Sequence, residues 1–142
     1  MDADSGEMKA ALKKIVIPVL RNKGFKGSFP HFRRILSERI DLLTFQFDKW
    51  SGGFIIEIST CPTSGHITYW GEQISPSKVT AHDLHPNQRE RLQAYPGSGT
   101  DAWFRFENGA YLEVANSVLP KIDIAEDWWQ NRFLTHHSSG TG

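Results

Sequence analysis

Residues 43–60 constrain the fold more than any other part of the chain, because they read as a β-hairpin with both arms alternating. The first arm is Leu43-Thr44-Phe45-Gln46-Phe47-Asp48-Lys49-Trp50, the turn lies in Ser51-Gly52-Gly53, and the return arm is Phe54-Ile55-Ile56-Glu57-Ile58-Ser59-Thr60. A two-residue turn at Ser51-Gly52 predicts Phe47 opposite Ile56, Phe45 opposite Ile58, Gln46 opposite Glu57 and Thr44 opposite Ser59. One face is then apolar and the other polar. A turn at Gly52-Gly53 would oppose Asp48 and Glu57, and a three-residue turn would put Phe47 against Glu57, so the first register is preferred.

The pattern extends upstream. A strand over 28–36, turned at Ser37-Glu38, sets Phe32 against Leu43 and Pro30 against Phe45 on the apolar face. His31 then meets Thr44, Arg33 meets Leu42, and Arg34 stands opposite Asp41. Pro30 lacks a ladder donor, so this strand lies at an edge or begins at His31. Ahead of it, Met8, Ala11, Leu12, Ile15, Val16, Val19 and Leu20 keep helical spacing, with Ser5 as N-cap, Pro18 kinking or ending the helix, and a stop at Gly24. Downstream, Asp101–Glu107 alternates as a fourth main strand. A second apolar helical stripe runs from Tyr111 through Trp128 and Trp129 to Phe133, with Pro120 kinking or splitting it. Consecutive tryptophans point ~100° apart on a helix, so one belongs in the core and the other at its margin.

Between them, 61–100 is a long decorated connection punctuated by Cys61-Pro62, Ser64-Gly65, Ser75-Pro76, His85-Pro86 and Pro96-Gly97. Some of it must be ordered; a short strand at His66–Trp70 and a helical turn at Asn87–Gln93 are expected. The whole, 1–142, reads as one α+β domain: an antiparallel sheet of about four to five strands with N- and C-terminal helices packed on one face in two layers. The other face is expected to stay polar, and 1–7 and 134–142 to fray.

Net charge is zero but unevenly placed. Between residues 8 and 39, nine basic side chains face one acid, Glu38, and acids elsewhere in the chain are expected to pair with them. No apolar run approaches the ~18 residues that span a bilayer. With no secretory pattern and a single cysteine, Cys61, a cytoplasmic location is expected.

The candidate site is the polar sheet face: His31, Arg33, Gln46 and Glu57, with Arg105 and Trp103 from the fourth strand. A carboxylate, a guanidinium, an imidazole and an amide beside an aromatic rim suit binding of a protein, peptide or polar ligand, with the connection as a lid, and Phe29 is expected on the same rim. His82 and His85 stand three apart, yet Pro86 follows and no partner motif exists, so no metal site is assigned. Cys61 has only His66 near it in sequence as a base. No phosphate loop, nucleophile elbow or paired-carboxylate motif is present, so no catalytic residue and no cofactor are named. Nucleic acid is not expected as a partner, since the domain has no excess positive charge.

The series Leu12, Ile15-Val16-Ile17-Pro18-Val19-Leu20-Arg21, Gly24-Phe25, Phe29, Phe32-Arg33, Thr44-Phe45-Gln46 and Phe54-Ile55-Ile56-Glu57-Ile58 resembles the family known as domain of unknown function 4304. Asp83-Leu84-His85, Arg89 to Leu92, Trp103-Phe104-Arg105-Phe106 and Ala125-Glu126-Asp127-Trp128-Trp129 carry the resemblance through most of the chain. It implies a small bacterial α+β domain with no established activity. The expectation is a binding or interaction module, with a hydrolase or transferase on the polar face and toxin immunity as alternatives.

Overall fold

The computed structural model describes residues 4–49, 52–94 and 102–141, with side chains through Arg132. Helix α1 spans Ser5–Asn22. Its N-cap is Asp4, not the expected Ser5: the Asp4 carboxylate accepts from Glu7 N, and Ser5 is already helical. Pro18 neither ends nor splits α1, because it lies on the exposed side where water can satisfy the carbonyl its missing N–H releases. The helix stops in a Schellman arrangement, Phe25 N donating to Leu20 O and Gly24 N to Arg21 O, with Gly24 at φ +98°.

Strand β1 (Lys26–Ser28) is short and was not expected; it turns at Phe29-Pro30 into β2 (His31–Ile35). That turn breaks the alternation, so Phe29 does not join the polar residues. Its ring stacks 5.1 Å from Phe45 at the edge of the core. From β2 to β3 (Ile40–Phe47) the register matches expectation, His31 opposite Thr44, Phe32 opposite Leu43 and Arg34 opposite Asp41.

The opening hairpin differs. Strand β4 (Gly53–Cys61) pairs β3 two residues away from the expected register: Phe45 opposes Ile56, Thr44 opposes Glu57, Gln46 opposes Ile55 and Phe47 opposes Phe54. Asp48 N donates to Gly53 O, closing a longer loop across residues 49–52, of which Trp50 and Ser51 lie outside the described residues. A few more loop residues cost little entropy. In return Phe47 stacks on Phe54 at 5.2 Å and Phe54 on Phe104 at 5.1 Å. A shift of two preserves parity, so every side chain keeps its predicted face.

Beyond β4 come a small hairpin of β5 (His66–Ile67) and β6 (Gln73–Ile74), 3-10 turns at Ala81–Asp83 and Pro86–Gln88, and β7 (Glu90–Arg91), so the helical turn expected over 87–93 forms only at its start and gives way to a strand. The fourth main strand contracts to β8 (Phe104–Arg105), and helix α2 runs Tyr111–Thr141 through Pro120 without splitting. The sheet order is β1-β2-β3-β4-β7, with β8 also on β4; β7 holds Glu57 and Ile58, and β8 holds Gly53 and Phe54. Both helices cover one face, where Phe32, Leu43, Phe45, Ile56 and Ile58 meet Leu12, Val16, Val118, Ile122 and Trp129. Trp129 is fully buried and Trp128 half-buried at the margin.

The second face is not left to water. Ile40, Leu42 and Cys61 project from it into a smaller apolar cluster with Val79, Ala81 and Leu84 of the connection. The apolar even positions of β3 demanded this cover, and the expectation of an open polar face overlooked them.

Candidate functional site

His31, Arg33, Gln46, Glu57 and Arg105 lie on the second face by register and the Trp103 ring borders Gly53 there, but they form two groups. His31, Thr44 and Glu57 make one row across β2, β3 and β4, with Arg33 beside them. Gln46, Trp103 and Arg105 lie toward the β3–β4 turn, where Arg105 opposes Gly53 and its guanidinium sits 5.9 Å over the Trp103 ring.

Glu57 anchors the first group. It is 5% exposed, because residues 79–91 fold over it. Arg89 Nη1 reaches its Oε1 at 3.5 Å and Arg91 Nε its Oε2 at 3.4 Å. His82 Nε2 lies buried 3.0 Å from Oε1 without the alignment of a hydrogen bond. Arg89 also donates to the carbonyls of Leu84 and His82. The remaining polar groups are similarly engaged: His31 Nδ1 pairs with Thr44 Oγ1 at 2.9 Å, Arg33 Nε donates to Val79 O, and Ser59 Oγ donates to Gln88 O. Burial, followed by the nearby positive charges of His82 and Arg33, lowers the pKa of His31 against the opposing effect of Asp83.

Arg33, Ser59 and Glu57 tie the connection to the sheet. Arg89, Arg91 and His82 were missing from the expected site. The alternation of Arg89 and Arg91 around Glu90 was a strand signal that Pro86 obscured. His82 and His85 diverge, the first toward Glu57 and the second capping Asn87 N, and among the described residues no group of three or more potential ligands could hold a metal ion. Cys61 is buried, and that burial, followed by Asp41 and Asp83, pushes its thiol up to about 12, which removes it as a nucleophile at neutral pH.

On the helix side, Arg34 lies between Asp41 and Glu126, donating to both carboxylates, with its guanidinium 4.6 Å over Phe25. Arg39 also binds Asp41, and Lys23 reaches Glu126 at 3.8 Å. Part of the basic N-terminal stretch is therefore matched by later acids, as expected.

The connection carries the most exposed aromatics among the described residues. On the β5–β6 hairpin Ile67 is 64%, Tyr69 92% and Trp70 63% exposed. The tip is nonetheless well bonded: Thr68 N donates to Glu72 O, Gly71 N to Thr68 O, Glu72 N to Thr68 Oγ1, and Trp70 Nε1 to Glu72 Oε1. At its base Gly65, at φ +100°, leaves no room for a Cβ against the Ile74 carbonyl.

A two-layer α+β domain, with a pinned outer segment presenting an aromatic hairpin, is the class this arrangement defines. A family model described as "Domain of unknown function (DUF4304)" matches residues 16–131, and the chain belongs to that family. No curated protein and no solved structure matches the chain.

Proposed function

We propose that this chain is a non-catalytic interaction module that engages a protein partner through the tip of the β5–β6 hairpin. The carrying observation is the exposure of Ile67, Tyr69 and Trp70 together on a hydrogen-bonded turn. Tyr and Trp offer large contact area at low entropic cost and recur as interface anchors. A partner with a hydrophobic groove is the complement of such a knob. The polar sheet face serves in this reading as the support that holds the outer segment in place, since Glu57, His31 and Arg33 are spent on that segment and on the sheet. The same engagement weighs against a hydrolase or transferase centred on them. We assign the module to a bacterial cytoplasm, which the family resemblance and the single buried Cys61 support. Toxin neutralisation is one form such binding would take, and a toxin gene beside this one would single it out.

A photo-crosslinking residue placed at position 69 in the native host is expected to give a discrete protein adduct that Trp70→Ser abolishes without changing Tm. Absence of an adduct, or one indifferent to Trp70→Ser, overturns the proposal.

A further inference from the structure

A cleft of about 320 Å3 opens where β4 ends, between the β5–β6 hairpin and α2. Its lining divides by chemistry. Cys61, Pro62 and Leu84 give an apolar wall, and the rim holds the guanidiniums of Arg39 and Arg132, the His66 imidazole and one carboxylate, Glu38. We propose that this cleft binds a small organic monoanion, a carboxylate carried on a short apolar body, independently of any partner on the hairpin tip.

Size, charge and preorganisation point the same way. A cavity of ~150 Å3 lined by apolar side chains accepts benzene, so this one has room for a ring and a carboxylate, and its volume falls at the small end of ligand pockets. Arg39 is already oriented, Nε donating 2.7 Å to Asp41 Oδ1, and Asp41 in turn is shared with Arg34. Arg34 is shared in its turn with Glu126, so Arg39 keeps Asp41 as its buried anchor. Asp41 is fully buried, so it fixes Arg39 from behind without reaching the cleft opening. A planar guanidinium held in this way suits a carboxylate better than a point charge would. The apolar wall argues against a bare inorganic anion: phosphate would desolvate against Cys61 and Leu84 with nothing to pair there. Because the Cys61 thiol stays protonated at neutral pH, that wall carries no charge to repel an anion.

The test is 19F NMR of 4-fluorobenzoate with the full chain. Saturable broadening with an affinity near or below ~1 mM is expected, since small weakly anchored ligands fall in that range. Neutral 4-fluorobenzamide should bind at least about tenfold more weakly, Arg132→Gln should cost a similar factor, and Gln88→Trp, at an exposed lining position, should block the cleft. Circular dichroism checks that both variants are folded. The proposal is overturned by no saturable response, by equal binding of the amide, by displacement with equimolar inorganic phosphate, or by wild-type affinity in folded Gln88→Trp.

Discussion

Trp129 Nε1 donates a 2.9 Å hydrogen bond to the backbone carbonyl of Ser59, and through this bond the buried face of α2 grips the same residue whose hydroxyl holds the outer segment at Gln88 O. The two layers on opposite faces of the sheet therefore share one residue of β4. Trp129 also packs 5.2 Å from Phe25, just past the end of α1, so it joins both helices to the sheet.

Removing the indole N–H should be felt separately from removing the ring. Trp129→Phe leaves the Ser59 carbonyl without this donor and is expected to cost about 1–3 kcal/mol, whereas Trp129→Ala adds a cavity and should cost about 3–5 kcal/mol. Urea unfolding of both variants checks this. Equal midpoints for wild type and Trp129→Phe would show that the hydrogen bond contributes nothing.

Asp41 and Glu126 both bind Arg34 but differ in depth: the Asp41 side chain is fully buried, and that of Glu126 is 31% exposed. Asp41→Ala removes the buried carboxylate that Arg34 and Arg39 share and should destabilise by about 3–5 kcal/mol, while Glu126→Ala should cost well under that because solvent screens its contact. Denaturation of the two single variants decides the order, and a larger loss for Glu126→Ala would contradict the burial argument.

Much of the core was legible in the sequence because period-2 alternation survives any even shift of register. Phe45, Phe47, Ile56 and Ile58 face the helices although their cross-strand partners differ from those expected by two residues. Loop length was not legible: nothing in Ser51-Gly52-Gly53 reveals that Phe47 gains more from stacking on Phe54 than a tight turn would give. On the second face, Glu57 and Arg33 were found by parity alone, but parity does not report cover. The apolar positions Ile40, Leu42 and Cys61 were visible on that face, while their partners Val79, Ala81 and Leu84 sit in an aperiodic stretch where spacing carries no signal.

Glu57 should act as a local clamp. Glu57→Gln removes the charge facing Arg89, Arg91 and His82 while keeping the shape, and the segment it holds has few regular backbone pairings of its own. Amide exchange in residues 79–91 is expected to rise by about tenfold or more while α1 and β3 stay protected, as for a sub-global opening. Uniform acceleration across the domain, or none, would refute a local clamp.

Two groups give acid sensitivity that sets in at different pH. The pKa of His31 is lowered in the fold from 6.5, by burial first and then by His82 and Arg33, so its stabilising contribution is complete above 6.5 and lost as pH falls from there through the folded value. Burial would raise the Glu126 carboxyl, but the Arg34 hydrogen bond together with the positive charges of Arg34, Lys23 and Arg39 brings it below 4.5, so its contribution is present above 4.5 and lost as pH falls through the folded value. Urea midpoints should therefore decline in two stages on acidification. His31→Asn should flatten the upper stage and leave the lower, and Glu126→Gln should do the reverse. If the wild-type and His31→Asn midpoints run parallel between about pH 7.5 and 5, the upper stage does not belong to His31.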